Sequence, residues 1–100
     1  MQRFFAALLR GRVLSPALLR EMKTLVPAGR LRYGLGIATF PTPCGPAWGH
    51  TGNVQGTIAV AWNTRDASRQ LVLVVNTYPL SAELEAAVRR VQDAAFCPAA

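Results

Sequence analysis

The chain has 100 residues, of which 51% are hydrophobic and 16% charged, so it can form one small domain or part of a larger one and is not disordered. Its net charge is +6, and the excess lies in residues 1–32, which carry seven basic side chains and one acidic one. No aromatic residues alternate with these basic ones, which argues against a nucleic-acid partner. No run of about 18 apolar residues is present to span a membrane.

Two short helical patterns open the chain. The apolar side chains of residues 4–9 recur at helical spacing, and Gly11 can end that helix. This apolar stretch is too short for a signal peptide and lacks a cleavage site, so no export signal is expected. In the second pattern Ser15 can cap the helix and Pro16 suits its first position. The apolar face of this helix is expected to extend to Val26.

The composition changes at residue 31 to one that favours strands. Residues 31–40 predict one strand, and the proline-rich residues 41–46 predict a loop. Residues 48–52 form an extended segment, and residues 57–63 alternate large with small side chains as a strand does. Residues 71–75 are apolar without alternation, so this strand is expected to be covered on both faces.

The last segment predicts a helix that begins after Ser81. Its apolar stripe is expected to lie on the sheet and comprises Leu84, Val88, Val91 and Ala95. Helices, then an antiparallel meander, then a helix on its face place the chain in the α+β class.

The chain contains two cysteines, Cys44 in the expected loop and Cys97 at the end of the last helix. They are either two unrelated thiols or one disulfide. The disulfide is favoured, because a meander followed by a docked helix can bring these two ends together, and it would indicate an oxidising compartment. With His50 the only histidine, a metal site is not expected, and no cofactor is expected.

The segment from residue 49 to residue 56 carries the clearest chemical pattern. Glycines flank His50-Thr51, so a ligand backbone could lie against an exposed strand there. Thr51 offers a hydroxyl and His50 an imidazole that titrates near neutral pH. Taken alone, a histidine on a strand is more often structural than functional.

Several short motifs in this order resemble the end of the actinomycete-type serine D-alanyl-D-alanine carboxypeptidases. These enzymes are grouped with class C β-lactamases and penicillin-binding proteins. The motifs that carry the resemblance are Ser15-Pro16-Ala17-Leu18-Leu19, Tyr33-Gly34-Leu35-Gly36-Ile37, Cys44-Gly45, Gly49-His50-Thr51-Gly52, Gln55-Gly56 and Phe96-Cys97. Residues 1–100 are therefore expected to form the C-terminal part of that fold.

The resemblance implies a role for each residue of the strand motif. The family has a Lys/His-Thr/Ser-Gly triad on the strand that lines the active-site cleft, and His50-Thr51-Gly52 fits it. Thr51 would bind the carboxylate of the substrate, and His50 would act near the proton relay of the nucleophile. Gly52 would allow close approach of the substrate, and the Asn53 N–H would be the second oxyanion donor.

The resemblance further implies a D-alanyl-D-alanine peptide or a β-lactam as the ligand of the complete enzyme. It implies a Cys44–Cys97 disulfide and an extracellular or cell-envelope location for the parent enzyme.

The nucleophile motif of the family is missing from the chain. Family members have Ser-x-x-Lys, whereas Ser15, Ser68 and Ser81 have no lysine three residues later. The second motif, Tyr-x-Asn or Ser-x-Asn, is also absent. The chain alone is expected to be inactive and to need the missing N-terminal part of the fold.

Two alternatives remain open at this level. The chain is either a segment of such a hydrolase or a stand-alone binding or structural module that keeps the strand motif without its chemistry. The basic residues at its start form either a solvated face or a surface for acidic residues of a missing partner.

Overall fold

The computed structural model describes residues 1–97, which form helices on both faces of an antiparallel sheet. The helices are α1 (Gln2–Leu9), α2 (Pro16–Met22) and α3 (Ala82–Phe96). The strands are β1 (Val26–Ala28), β2 (Leu31–Tyr33), β3 (Ala38–Thr42), β4 (Gly45–Val54), β5 (Thr57–Asn63) and β6 (Gln70–Val75). Each strand pairs with the next in sequence, from β1 to β6. The predicted α+β meander is confirmed. None of these helices is long and apolar enough to cross a membrane.

Two hydrophobic cores lie on opposite faces of the sheet. Along β4 and β5 neighbouring side chains belong alternately to one core or the other, because successive residues of a strand point to opposite faces. The first core contains residues of α1 together with Trp48 and Ala61. The second contains Ala47 and Trp62 together with Phe96 of α3. The sheet is therefore a middle layer between α1 and α2 on one side and α3 on the other.

The start of α2 is as predicted, but its end is not. The Ser15 hydroxyl accepts a hydrogen bond from the Leu18 N–H, and Pro16 occupies the first helical position. The helix ends at Met22 rather than near Val26, because the Met22 carbonyl accepts from the Leu35 N–H at 3.0 Å. The following residues form β1 instead and pair with β2.

The region from residue 31 to residue 46 also differs from the prediction. A turn interrupts the single strand predicted over residues 31–40, and the Gly34 N–H closes it by donating to the Ile37 carbonyl at 2.7 Å. The prolines do not make a long loop. Pro41 of β3 and Pro46 of β4 lie opposite each other in a hairpin, whose turn Thr42 stabilises by donating to the Gly45 carbonyl at 2.6 Å.

The predicted apolar stripe of α3 is wrong at two positions. Leu84 and Val91 are 39% and 45% exposed, while Gln92 and Phe96 are buried. A polar residue takes the buried position because the Gln92 side-chain oxygen accepts a hydrogen bond from the Trp62 indole at 3.0 Å. This bond satisfies the indole N–H in the core.

Strand β6 lies at the edge of the sheet, and one of its faces is partly exposed. The prediction that residues 71–75 are covered on both faces is therefore wrong. Within residues 1–97 it pairs only with β5. Val72 and Val74 are 42% and 56% exposed on the α1 side of the sheet. The apolar run therefore leaves one backbone edge and part of one face open.

The predicted disulfide between Cys44 and Cys97 is present. It joins the β3–β4 turn to the end of α3 across a sequence separation of 53 residues. It therefore fixes the helix at the end where Phe96 enters the second core.

Reduction of the disulfide should destabilise the fold. Closure of a loop of this length is worth about 4 kcal/mol in the chain-entropy estimate. We expect urea unfolding to shift to lower concentration when a reductant is added and the intact mass to rise by two hydrogens. A double Cys44→Ser, Cys97→Ser variant should not respond to the reductant. Two free thiols in air-exposed, folded protein would contradict the disulfide.

The open edge of β6 should promote self-association of the chain. Unpaired strand edges with apolar side chains are sites of edge-to-edge pairing, which a lysine opposes. Sedimentation velocity should show concentration-dependent association that Val74→Lys weakens. Val91→Lys, a matched change on the exposed side of α3, should leave it intact. A monomer at every concentration would count against this prediction.

Candidate functional site

Strand β4 is paired along only half of one edge. On the other edge it pairs with β5 from Trp48 to Val54. Its pairing with β3 ends at Gly49, which lies opposite Ala38. No other strand of residues 1–97 continues beside His50 and the residues after it. Apart from the Thr51 carbonyl, which bonds to the His50 ring, this stretch of β4 presents free backbone donors and acceptors, as strands do where they bind extended peptides.

All four residues that the sequence analysis placed in the site lie on this free edge. His50, Gly52 and Asn53 are exposed, and Thr51 is half-buried. Because β4 is extended, positions 50 and 52 lie on the α1 face of the sheet, whereas the Thr51 and Asn53 side chains leave the strand on the α3 face. The roles assigned to them remain predictions.

An apolar cavity of about 480 Å³ lies on the α1 face beside the edge. His50, Thr51 and Gly52 form the rim on the β4 side, and side chains of α1 and of the next two strands complete the walls. These walls include Phe5, Ala59, Ala61, Val72 and Val74. A ligand that lies along the free edge could place an apolar group in this cavity.

Close packing within the sheet requires glycine at position 49 of β4 but not at position 52. A Cβ atom at Gly49 would overlap the carbonyl oxygen of Ala61, so the close approach of β5 requires glycine there. A Cβ atom at Gly52 would meet no atom within 4 Å. Packing within residues 1–97 therefore does not require glycine at position 52. The open space in front of Gly52 fits its predicted role of admitting a substrate.

Tyr33 is a partner of His50 that the sequence analysis did not assign to the site. Its hydroxyl lies 2.8 Å from His50 Nε2, and the two rings meet edge to face with centroids 5.6 Å apart. His50 Nδ1 bonds to the carbonyl oxygen of Thr51. A carbonyl oxygen can only accept, so these partners assign the proton to Nδ1, and the neutral ring then accepts at Nε2 from the Tyr33 hydroxyl.

The register of the sheet explains why Tyr33 reaches the site. Tyr33 ends β2 and lies opposite Ala38, which in turn lies opposite Gly49, the residue before His50. The sequence contained a signal, because Tyr33 opens one of the motifs that resemble the carboxypeptidases. Its pairing with His50 depends on the register of three strands and was not predictable from spacing.

The three serines of the chain have structural partners. Ser15 and Ser81 cap α2 and α3 by accepting backbone N–H groups at 3.3 and 3.2 Å. The Ser68 hydroxyl lies 3.2 Å from the Thr64 hydroxyl in the β5–β6 turn. Within residues 1–97 no three His, Cys, Asp or Glu side chains are grouped to hold a metal ion. The site thus consists of binding groups along a strand edge.

Comparison with known proteins relates this arrangement to one family. The sequence matches the Beta-lactamase family over residues 1–96. The structure resembles a D-stereospecific amidohydrolase from Streptomyces sp., with a TM-score of 0.81 and 34% identity over 99% of this chain. It also resembles the fold of a D-amino acid amidase from Ochrobactrum anthropi SV3 solved with D-phenylalanine, with a TM-score of 0.73 and 24% identity over 93% of this chain. The chain spans only 29% and 34% of the lengths of these two proteins.

Replacement of Tyr33 by phenylalanine should change the histidine ring at one nitrogen. His50 is the only histidine, so ¹⁵N-histidine labelling reports on this ring alone. In the neutral ring we expect a protonated Nδ1 and a hydrogen-bonded, unprotonated Nε2. In Tyr33→Phe the Nε2 resonance should move towards that of a free nitrogen, because its donor is lost.

The other tyrosine supplies the control for this experiment. Tyr78→Phe should leave both ring resonances in place, since Tyr78 is not a hydrogen-bond partner of His50. Identical spectra for the parent chain and Tyr33→Phe would show that the Tyr33–His50 bond does not form in solution.

Proposed function

The chain belongs to the beta-lactamase family, and from this membership we propose that it supplies the substrate-binding strand of a serine hydrolase that cleaves an amide bond beside a D-amino acid residue. In this proposal another part of the complete hydrolase provides the serine nucleophile and its lysine. The reaction would proceed through an acyl-enzyme and would use no cofactor.

The free edge of β4 is the observation that carries this proposal. A peptide laid along the edge could pair with the unpaired backbone after Gly49, and no side chain at Gly52 would obstruct it. The Thr51 hydroxyl would then bind the substrate carboxylate, and the Asn53 N–H would stabilise the oxyanion. His50, held by Tyr33, would act beside the proton relay.

One observation each supports the D-configuration of the substrate, its apolar side chain, and the location of the hydrolase outside the cytoplasm. Two similar structures, described above, are by their names a D-stereospecific amidohydrolase and a D-amino acid amidase. The apolar cavity beside Gly52 has room for a small apolar side chain. The Cys44–Cys97 disulfide favours an extracellular or cell-envelope location. Within this class we propose the D-alanyl-D-alanine carboxypeptidase reaction, in which Thr51 recognises the free terminal carboxylate.

A second candidate function is a binding module without chemistry. This alternative, which the sequence left open, needs only the binding groups of the β4 edge and no nucleophile. In both functions the β4 edge binds the ligand, and they differ in whether a nucleophile is ever supplied.

A fluorescent penicillin should leave no covalent adduct on the 100-residue chain. A stoichiometric adduct on any of the three serines would overturn our assignment of the site.

The proposal predicts stereospecific binding to β4 by the chain itself. In a ¹⁵N-HSQC titration, N-acetyl-D-alanyl-D-alanine should shift the amide resonances of His50 to Asn53, whereas the L,L isomer should not. Thr51→Val removes one hydrogen bond to a charged group, worth about 1.5–3 kcal/mol, and should weaken binding at least about tenfold. The C-terminal amide of the ligand should bind more weakly and lose less on this substitution, because it lacks the carboxylate.

Two glycine variants separate binding from folding in the same experiment. Gly52→Ala should keep the fold and weaken ligand binding, since its methyl group would occupy the open space at the edge. Gly49→Ala should instead destabilise the sheet by about 1–3 kcal/mol through overlap with Ala61. Equal binding of the D,D and L,L peptides would contradict the proposed function.

A further inference from the structure

A second cavity, of about 500 Å³, lies between α2 and the start of β4, apart from the free edge. Three basic side chains line it, and we call it the basic cavity: Arg20, Lys23 and Arg65. Its remaining walls are largely apolar and include Leu19 and the indole of Trp48. No acidic residue is among its lining residues.

The positive charges of the basic cavity have no carboxylate partner within residues 1–97. The one salt bridge in this part of the chain joins Arg89 and Asp93 on α3. Lys23 instead places its ammonium group over the Trp48 ring, 4.3 Å from the centroid. Burial and, secondly, the charge of Arg65 lower the pKa of Lys23. A bound anion would offset both effects, because it supplies the missing opposite charge.

Trp48, whose ring lines the basic cavity, also carries an unsatisfied donor, which is enclosed by the protein. The residue is only 9% exposed, and its indole Nε1 is buried without a hydrogen-bond partner among residues 1–97. The other tryptophan, Trp62, has its indole N–H bonded to Gln92 at 3.0 Å. Because this nitrogen is enclosed, it is not a contact for a ligand, and its N–H resonance serves instead as a reporter on the ring that lines the cavity.

We propose that the basic cavity is a binding site for a small organic carboxylate. The guanidinium groups of Arg20 and Arg65 and the Lys23 ammonium suit a carboxylate, whose oxygens can accept several hydrogen bonds. The apolar walls favour a ligand with a hydrocarbon body over an inorganic oxyanion. This site uses neither the free edge of β4 nor a nucleophile, so it is independent of the proposed function.

The test uses benzoate as the probe and the uncharged benzamide as its matched control. At constant ionic strength maintained with chloride, benzoate should shift the Trp48 indole N–H resonance saturably. The Trp62 indole, which already has a partner, should move little. Lys23→Gln and Arg65→Gln should each weaken benzoate binding at least fivefold. Arg12→Gln, an exposed arginine outside the cavity lining, should leave it unchanged.

Four results would overturn the proposal. These are a linear response to benzoate without saturation, an equal response to benzamide, unchanged binding by Arg65→Gln, and sulfate binding as tight as that of benzoate. Arg65 is exposed, so that variant should fold and can decide the question even if Lys23→Gln does not. Sulfate binding as tightly as benzoate would contradict the organic character of the ligand. Absence of benzoate binding would leave the proposed function untouched, because the N-acetyl-D-alanyl-D-alanine titration reports on His50 to Asn53.

Discussion

The partial pairing of β4 is the constraint on which the candidate site depends. Strand β4 has ten residues and β3 has five, so β3 accompanies only the first half of its neighbour. The turn closed by Gly34 and Ile37 directs the chain away before β3 begins, which leaves the edge after Gly49 without a partner strand. Gly49 stands at this transition and allows β5 to approach closely. A ligand strand could take the position beside this edge once the His50 imidazole releases the Thr51 carbonyl.

The paired half of β4 anchors the free half. Ala47 and Trp48 enter the two cores on opposite faces of the sheet, and the disulfide at Cys44 ties the preceding turn to α3. The Asn63 side chain reinforces this anchor from β5 by donating to the Trp48 carbonyl at 3.0 Å within the buried interior. The paired half of β4 therefore cannot shift without disruption of both cores. Such fixed support is what a binding strand needs to hold its ligand groups in place.

Features set by neighbouring residues could be predicted from the sequence, whereas those set across the fold could not. The Ser15 cap and the whole of β5 follow from local capping chemistry and alternation, and both are confirmed. The end of α2 depends on a hydrogen bond to Leu35, and the burial of Gln92 depends on Trp62, thirty residues earlier. The four edge residues were found through their resemblance to a family motif. Tyr33 was not assigned to the site, because its contact with His50 arises from the register of β2, β3 and β4.

The alternation of β4 determines how its groups could act on one ligand. By alternation the His50 side chain leaves β4 on the α1 face and that of Thr51 on the α3 face, but the imidazole folds back to bond to the Thr51 carbonyl and to Tyr33. In the neutral ring both nitrogens of His50 have partners, which leaves no free N–H for the ligand. Thr51 can therefore contact a ligand directly from its face, whereas neutral His50 would act through the Tyr33 hydroxyl or only after that hydrogen bond opens. This difference makes Tyr33 part of any mechanism that assigns proton transfer to His50.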